Sequence, residues 1–299
     1  MGVRTPTAIV ATRLKGVLLS LLLFCATTST ADAGIYMNHG GFIGVRETHE
    51  IRSDQSLIEI ARRYDVGYNA ITAANRKVDP IVPTPGTRVT VPTEWILPDG
   101  LQGVGIVINV PEMRLYLLGK RSYGTVTTFP IGVGDEGKDT PAGRFTVVEK
   151  IINPAWHVPE SIRKENPRLP AIVPPGPRNP MGNRALRLSL RSVLIHGTNK
   201  PWCVGRRASH GCIRLYPEDI VKLFNKAWVG MPVTIVYQPV KVGVQRGRVF
   251  LEVHEYGGMD LRAEAMRILS GRKLLNRVDK RLLTAVLANK DGLPTPISW

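Results

Sequence analysis

Apolar and polar positions along the chain change period several times, and each change marks an expected element. Residues 17–26 form an apolar run behind Arg4, Arg13 and Lys15, and a polar stretch then leads to Ala31-Asp32-Ala33. A basic start, a short apolar core and a small-x-small site form the pattern of a secretory leader over residues 1–33. The run is about half the length of a membrane span. Residues 48–51 read as extended. Ser56 with Glu59 has capping-box spacing, and Leu57, Ile60, Ala61 and Tyr64 recur at helical spacing. A second short helix is expected over residues 68–75 with Ile71 and Ala74 inward, and Pro83-Thr84-Pro85-Gly86 turns the chain into an alternating strand over 87–91. A linker follows over 94–101. Residues 104–110, 113–118, 124–131 and 144–148 read as strands. Residues 152–182 are Pro-rich and irregular; so long a segment inside a domain reads as a lid or binding loop. Pro217-Glu218-Asp219 opens a helix with Ile220, Leu223, Phe224 and Ala227 inward. Residues 231–237 read as a strand. The last 60 residues are expected to hold one strand, 249–254, and two amphipathic helices near 260–275 and 278–289.

Composition narrows the possibilities. Of 299 residues 43% are hydrophobic and 21% charged, which excludes wholesale disorder. Gly 29 and Pro 23 make the chain turn-rich and favour β structure. Three cysteines are too few for a disulfide scaffold. Phe24 stands where a lipidated Cys25 would need a small residue, so no lipid anchor is expected. The formal charge is +16, and removing the leader takes away only three basic residues and one acidic residue. Nucleic acid is the usual partner of such a chain, but an exported protein rarely meets it. An acidic polymer outside the cytoplasm, such as peptidoglycan with its stem-peptide carboxylates, fits better. No later stretch approaches membrane-spanning length. Gly132-Val133-Gly134-Asp135-Glu136-Gly137 matches the letters of a dinucleotide fingerprint, but a turn and a strand follow it where a helix is required, so no nucleotide is expected.

Candidate chemistry concentrates in His196-Gly197-Thr198 and Ser209-His210-Gly211-Cys212-Ile213-Arg214. A histidine within reach of a cysteine makes the thiolate available for nucleophilic attack. Amides around Gly211 and Cys212 could face an oxyanion. Arg214, two residues beyond Cys212 in an extended segment, would share its face and could hold a carboxylate. On residue types alone, a metal site from His196, Cys203, His210 and Cys212 and plain structural burial also stand.

Two resemblances sharpen this reading. Ser53-Asp54-Gln55-Ser56-Leu57, Ile60-Ala61, Tyr64, Ala74-Asn75 and Pro85-Gly86 through Val91-Pro92 resemble a LysM module over residues 47–93, a glycan-binding βααβ fold; the first stretch departs from the usual Gly-Asp-Thr-Leu. His196, Ser209-His210-Gly211-Cys212 and Arg214, with Thr140-Pro141-Ala142-Gly143-Arg144-Phe145 and Asn179-Pro180-Met181-Gly182, resemble the signature of YkuD-type L,D-transpeptidases over residues 100–240, and the whole is similar to the ErfK/YbiS group. The resemblance implies a mainly β protein with some α: a β-sandwich-like catalytic domain, the LysM-like domain, and a helical C-terminal appendage over 241–299. It implies a periplasmic enzyme without cofactor or metal. Cys212 would attack a peptidoglycan tetrapeptide at diaminopimelate, release D-alanine and form a thioester. His196 would be the general base and acid, with His210 and Gly211 along the oxyanion and substrate wall. Arg214, Ser209, Gly197 and Thr198 are the expected substrate-binding residues. The acceptor would be the lysine of an outer-membrane lipoprotein or another diaminopimelate. A hydrolase using the same cysteine, or a glycan-binding adaptor, are the alternatives. Cys203 is expected to be a second thiol, with a latch disulfide to Cys212 as the other possibility.

Overall fold

A computed structural model describes residues 1–2, 34–100, 103–119, 124–190 and 192–299. The expected leader lies almost wholly outside the described residues. Among those described, no helix is long and apolar enough to cross a membrane.

In the first part of the fold, strand Glu47–Glu50 pairs antiparallel with Arg88–Val91, and two short helices lie between them, α1 (Leu57–Arg63) and α2 (Tyr68–Ala74). The capping box forms as its spacing requires. Glu59 N–H donates to Ser56 Oγ at 3.3 Å, and Ser56 N–H donates to the Glu59 carboxylate at 2.8 Å; such a cap is worth about 1 kcal/mol. Leu57, Ile60, Ala61 and Ile71 pack on Ile51, Val89 and Val91 in one core. Asn75 knits helix to strand, donating to the Thr90 carbonyl at 2.7 Å and accepting the Thr90 N–H at 2.8 Å.

The second part is built on a nine-stranded mixed sheet. Its order is Ile35–Met37, Thr125–Pro130, Arg114–Leu118, Gly105–Asn109, Pro232–Val236, Gly143–Ile152, Arg184–Leu188, Leu194–His196 and Ile213–Arg214. Strands Gly105–Asn109 and Arg114–Leu118 are buried throughout, because both faces are covered. Ile106, Ile108, Leu115 and Leu117 face one core, while Val107, Tyr116 and Leu118 belong to the core containing α1 and α2. This two-sided burial explains why these strands read as continuous apolar runs. Arg114, also buried, lies 4.1 Å from the Trp95 ring and donates to the Asp65 carbonyl at 3.3 Å.

The excursion after residue 152 is more regular than expected. Trp156–His157 pairs with Ile172–Val173, and α3 (Glu160–Glu165) lies between them. Two-residue strands beside prolines carry too few positions to show a period. The Asn179 amide donates to the carbonyls of Pro154, Val173 and Pro174 at 2.9–3.2 Å and fastens the base of the excursion. Helix α4 (Pro217–Lys226) buries Ile220, Leu223 and Phe224 against the sheet. Its first turn also meets the helical pair: Arg62 and Glu218 form two hydrogen bonds of 2.8 and 2.9 Å, and Asp219 hydrogen-bonds Asp65. Burial, reinforced by the neighbouring Asp65 charge, pushes the Asp219 carboxyl up to about 9, so this acid pair shares a proton near neutral pH.

The C-terminal part holds two strands more than its sequence pattern suggests. Val240–Gln245 forms a hairpin with Arg248–Val253, and Thr295–Pro296 adds to the latter. Helices α5 (Leu261–Gly271) and α6 (Lys280–Asn289) start on Asp260 and Asp279, whose carboxylates cap their first amides, and pack on the hairpin. The strand Val240–Gln245 is hard to read because Lys241 points inward. Its ammonium, 1% exposed, lies 2.9 Å from Glu112 and 2.6 Å from Glu252. Glu252 accepts the Ile96 N–H at 2.6 Å and pairs with His254 at 2.7 Å. This buried charge cluster joins the sheet, the strand Glu94–Ile96 and the C-terminal hairpin.

Candidate active site

Leu194–His196 runs parallel to Ile213–Arg214, with His196 opposite Arg214. Cys212 comes one residue before the second strand, and Ile213 between Cys212 and Arg214 is fully buried. The alternation therefore sets Cys212 and Arg214 on one side, beside His196. Both short strands belong to the sheet core through Ile195 and Ile213, so packing fixes the place of all three side chains.

The histidine is buried, and its Nδ1 lies 2.6 Å from the Gly197 carbonyl. A carbonyl can only accept, so Nδ1 carries the proton and Nε2 is the basic atom of the neutral ring. Burial and then the Arg214 charge drive the His196 pKa down to about 4, against the opposing pull of the Gly197 and Met181 carbonyls. The half-buried Cys212 thiol donates to the Ser192 carbonyl at 3.7 Å. Burial pushes this thiol up, with the Leu194 backbone and Arg214 pulling the other way. At rest the pair is thus a thiol and a neutral imidazole. The sequence suggests a thiolate made available by its neighbour; desolvation of both groups is what disfavours that ion pair here.

The loop carrying Cys212 is braced from several sides. Gly211 has φ +96°, a backbone state that favours glycine. Its carbonyl accepts from Thr140 Oγ1 at 3.0 Å, which in turn accepts the Gly134 N–H at 3.0 Å. The Tyr237 hydroxyl donates to the Thr140 carbonyl, and Arg207 pairs with Asp139 at 2.5 Å. Tyr256, from the C-terminal part, stacks edge-on with Tyr237 at 5.4 Å and lies under Arg207 at 5.5 Å. Gly134 of the false dinucleotide fingerprint serves this packing: a Cβ there would lie 2.1 Å from the Lys138 carbonyl. None of these braces is visible in the local sequence, although Thr140 stands inside a recognisable motif.

Ser209 and Thr198 are turned inward. Ser209 Oγ donates to the Cys212 carbonyl at 2.6 Å, and Thr198 Oγ1 accepts the Lys200 N–H at 3.0 Å and lies 3.6 Å from Cys203 Sγ. Both hydroxyls shape the loops. Gly197 packs on Gly182, where a Cβ would come within 2.9 Å of the Gly197 backbone. Cys203 and Cys212 are free thiols, the former buried. Arg214 spans back to the Ala208 carbonyl at 2.9 Å, while His210 is exposed and meets Lys138 and Glu165. Among the described residues, His196, Cys203, His210 and Cys212 do not converge as metal ligands. The one convergent set is Glu112, Glu252 and His254, where the Lys241 ammonium already lies between the carboxylates.

Residues 103–235 match the L,D-transpeptidase catalytic domain, YkuD, and residues 49–92 match the LysM domain. The probable L,D-transpeptidase YbiS of Escherichia coli (strain K12) is 35% identical over 92% of this chain and 94% of its own length. The probable L,D-transpeptidases YcfS and ErfK/SrfK of the same strain are 41% and 39% identical, over 71% and 82% of this chain and 69% and 83% of their own lengths. Matching catalytic and LysM models, with relatives aligned over most of both chains, place this protein in the YkuD family of L,D-transpeptidases, as an ErfK/YbiS-like member that carries a LysM domain.

Proposed function

We propose that this chain is an exported, periplasmic L,D-transpeptidase in which Cys212 takes the acyl group of a peptidoglycan tetrapeptide. The observation that carries this reading is the shared face of Cys212, His196 and Arg214, held by core strands on both sides. Cys212 Sγ attacks the carbonyl between diaminopimelate and D-alanine as His196 Nε2 takes the thiol proton. The oxyanion faces the amides of Gly211 and Cys212. The tetrahedral species collapses to a thioester, and the proton passes from His196 to the departing D-alanine amine. An incoming amine then reverses these proton movements and releases the sulfur. Arg214 supplies positive charge for the sulfur and a carboxylate. Ser209, Gly197 and Thr198 keep the loops in register, and the LysM domain holds glycan strands nearby.

Incubation with a disaccharide-tetrapeptide, with and without a lysine-ended peptide, tests the proposal. D-Alanine release with an acyl–lysine or diaminopimelate–diaminopimelate product is expected. Tripeptide alone under all conditions would identify a hydrolase, and an unchanged muropeptide would leave a glycan-binding adaptor.

The resting protonation states set the pH dependence. A His196 pKa of about 4 keeps the base unprotonated above that value, and the raised thiol stays protonated through neutral pH. In the free enzyme the limb of kcat/KM for D-alanine release that belongs to His196 is therefore expected at about pH 4, with none from His196 at 6–7. A limb near 6.5 that persists in His210→Gln would mean that His196 is solvated, contrary to its burial.

A further inference from the structure

Helix α3 ends on Glu165, and its carboxylate rests on two basic side chains at the rim of the Cys212 loop. Lys138 Nζ lies 2.7 and 2.9 Å from the two oxygens of Glu165, and His210 Nε2 lies 3.0 Å from one of them. The three residues come from separate segments: the turn before Thr140, the Pro-rich excursion, and the residue two before the nucleophile candidate. Lys138 is anchored through its backbone, its N–H bonding the Asp135 carbonyl at 2.9 Å. An ion pair this exposed, with side chains 37–50% accessible, contributes little to stability.

The arrangement is also internally strained in its hydrogen bonding. His210 Nε2 faces the Lys138 ammonium at 2.7 Å and the Glu165 carboxylate at 3.0 Å. One ring nitrogen donates or accepts, so a neutral His210 satisfies one neighbour and not the other. A doubly protonated ring would satisfy Glu165 and repel Lys138. The two basic groups therefore hold this carboxylate in a way that leaves it exchangeable, while Asn179 ties the base of the excursion to the carbonyls of Pro154, Val173 and Pro174.

We propose that Lys138 and His210 form a carboxylate-binding subsite beside Cys212, in which Glu165 stands in for a free carboxylate of the peptide substrate. This rests on the peptidoglycan reading above. A tetrapeptide stem offers two carboxylates that survive the reaction, one on D-glutamate and one on the distal centre of diaminopimelate. Docking of either one displaces Glu165 and releases the tip of the excursion. Glu165 is thus an internal competitor, and Lys138 and His210 are specificity determinants for an anionic donor.

The test is steady-state D-alanine release by wild type, Lys138→Met, Lys138→Arg and Glu165→Gln. Three donors are compared: the native tetrapeptide, one amidated at the D-glutamate carboxylate, and one amidated at the distal diaminopimelate carboxylate. Lys138→Met is expected to raise KM for the native donor about tenfold, the loss of one charge-assisted contact, with kcat within about threefold. Lys138→Arg should recover most of that loss, and Glu165→Gln should lower KM several-fold. The donor amidated at the docking carboxylate should show the raised KM already on wild type and no further change with Lys138→Met, which identifies the source. Wild-type KM in Lys138→Met for every donor would overturn the subsite, as would a Glu165→Gln variant whose KM rises like that of Lys138→Met.

A second arm separates this from the catalytic reading. In Cys212→Ala, glutarate is titrated while the His210 imidazole is followed by ¹⁵N NMR. Glu165→Gln in that background should show a saturable His210 shift, and Lys138→Met should not. A failure of wild type to release D-alanine would refute the transpeptidase reading and leave the glutarate titration to decide the subsite. An unmoved His210 in the Glu165→Gln background refutes the subsite alone.

Discussion

Replacing His196 by glutamine is expected to slow D-alanine release about 10²–10⁴-fold, the usual contribution of a positioned general base, with little change in KM. The reason is the resting state of the pair. With the thiol protonated and the ring neutral, attack needs a base that accepts the thiol proton in the transition state. His196 is the imidazole held on the Cys212 face, with its Nδ1 proton committed to the Gly197 carbonyl. Glutamine keeps a similar volume and can still donate to that carbonyl, but it offers no basic atom. Thermal unfolding of the variant should stay close to wild type, which separates loss of the base from loss of the loop. Cys212→Ala should abolish release altogether. A His196→Gln enzyme within tenfold of wild-type kcat would show that another group takes the proton.

The largest stability effect is expected at Lys241. Lys241→Met leaves Glu112 and Glu252 buried, 3% and 0% exposed, without the cation between them. Burial alone would raise the Glu112 carboxyl, and it is the charges of Lys241 and then His254 that bring it below its ordinary value. Breaking such a buried pair from one side costs about 3–5 kcal/mol, which for a chain of this size lowers Tm by on the order of 10 °C. The loss should shrink in Lys241→Met/Glu112→Gln, because one stranded charge is removed as well. Thermal unfolding of the single and double variants checks this. A Lys241→Met protein as stable as wild type would mean that water reaches the cluster.

How much of this was legible in the sequence follows from how local each feature is. The α1 capping box, the inward stripe of α4 and the central strands depend on residues within one or two turns of each other, and they appear where the pattern sets them. The strand Val240–Gln245 stayed hidden because Lys241 occupies an interior position and is matched by Glu112 and Glu252 far away in the chain. The strand Glu94–Ile96 looked like part of a linker for a similar reason: its partner, Phe42–Gly44, comes from the start of the described fold. At the site, the motif residues His196, Cys212 and Arg214 could be named in advance because they are close in sequence or recur in a signature. Lys138, Glu165, Tyr237 and Tyr256 could not, since only the folded chain brings them to that loop. Protonation was the least legible property. The residue types suggest a thiolate, whereas the depth at which the sheet places both groups favours their neutral forms.

The most direct measurement is the intact mass of the protein after mixing with disaccharide-tetrapeptide in the absence of an amine acceptor. The expected result is a gain equal to the donor minus D-alanine, mapped by peptide digestion to Cys212, removed by an added amine and absent from Cys212→Ala. Release of D-alanine by Cys212→Ala, or an acyl group found on any other residue, would contradict the assignment of that sulfur as the acyl carrier.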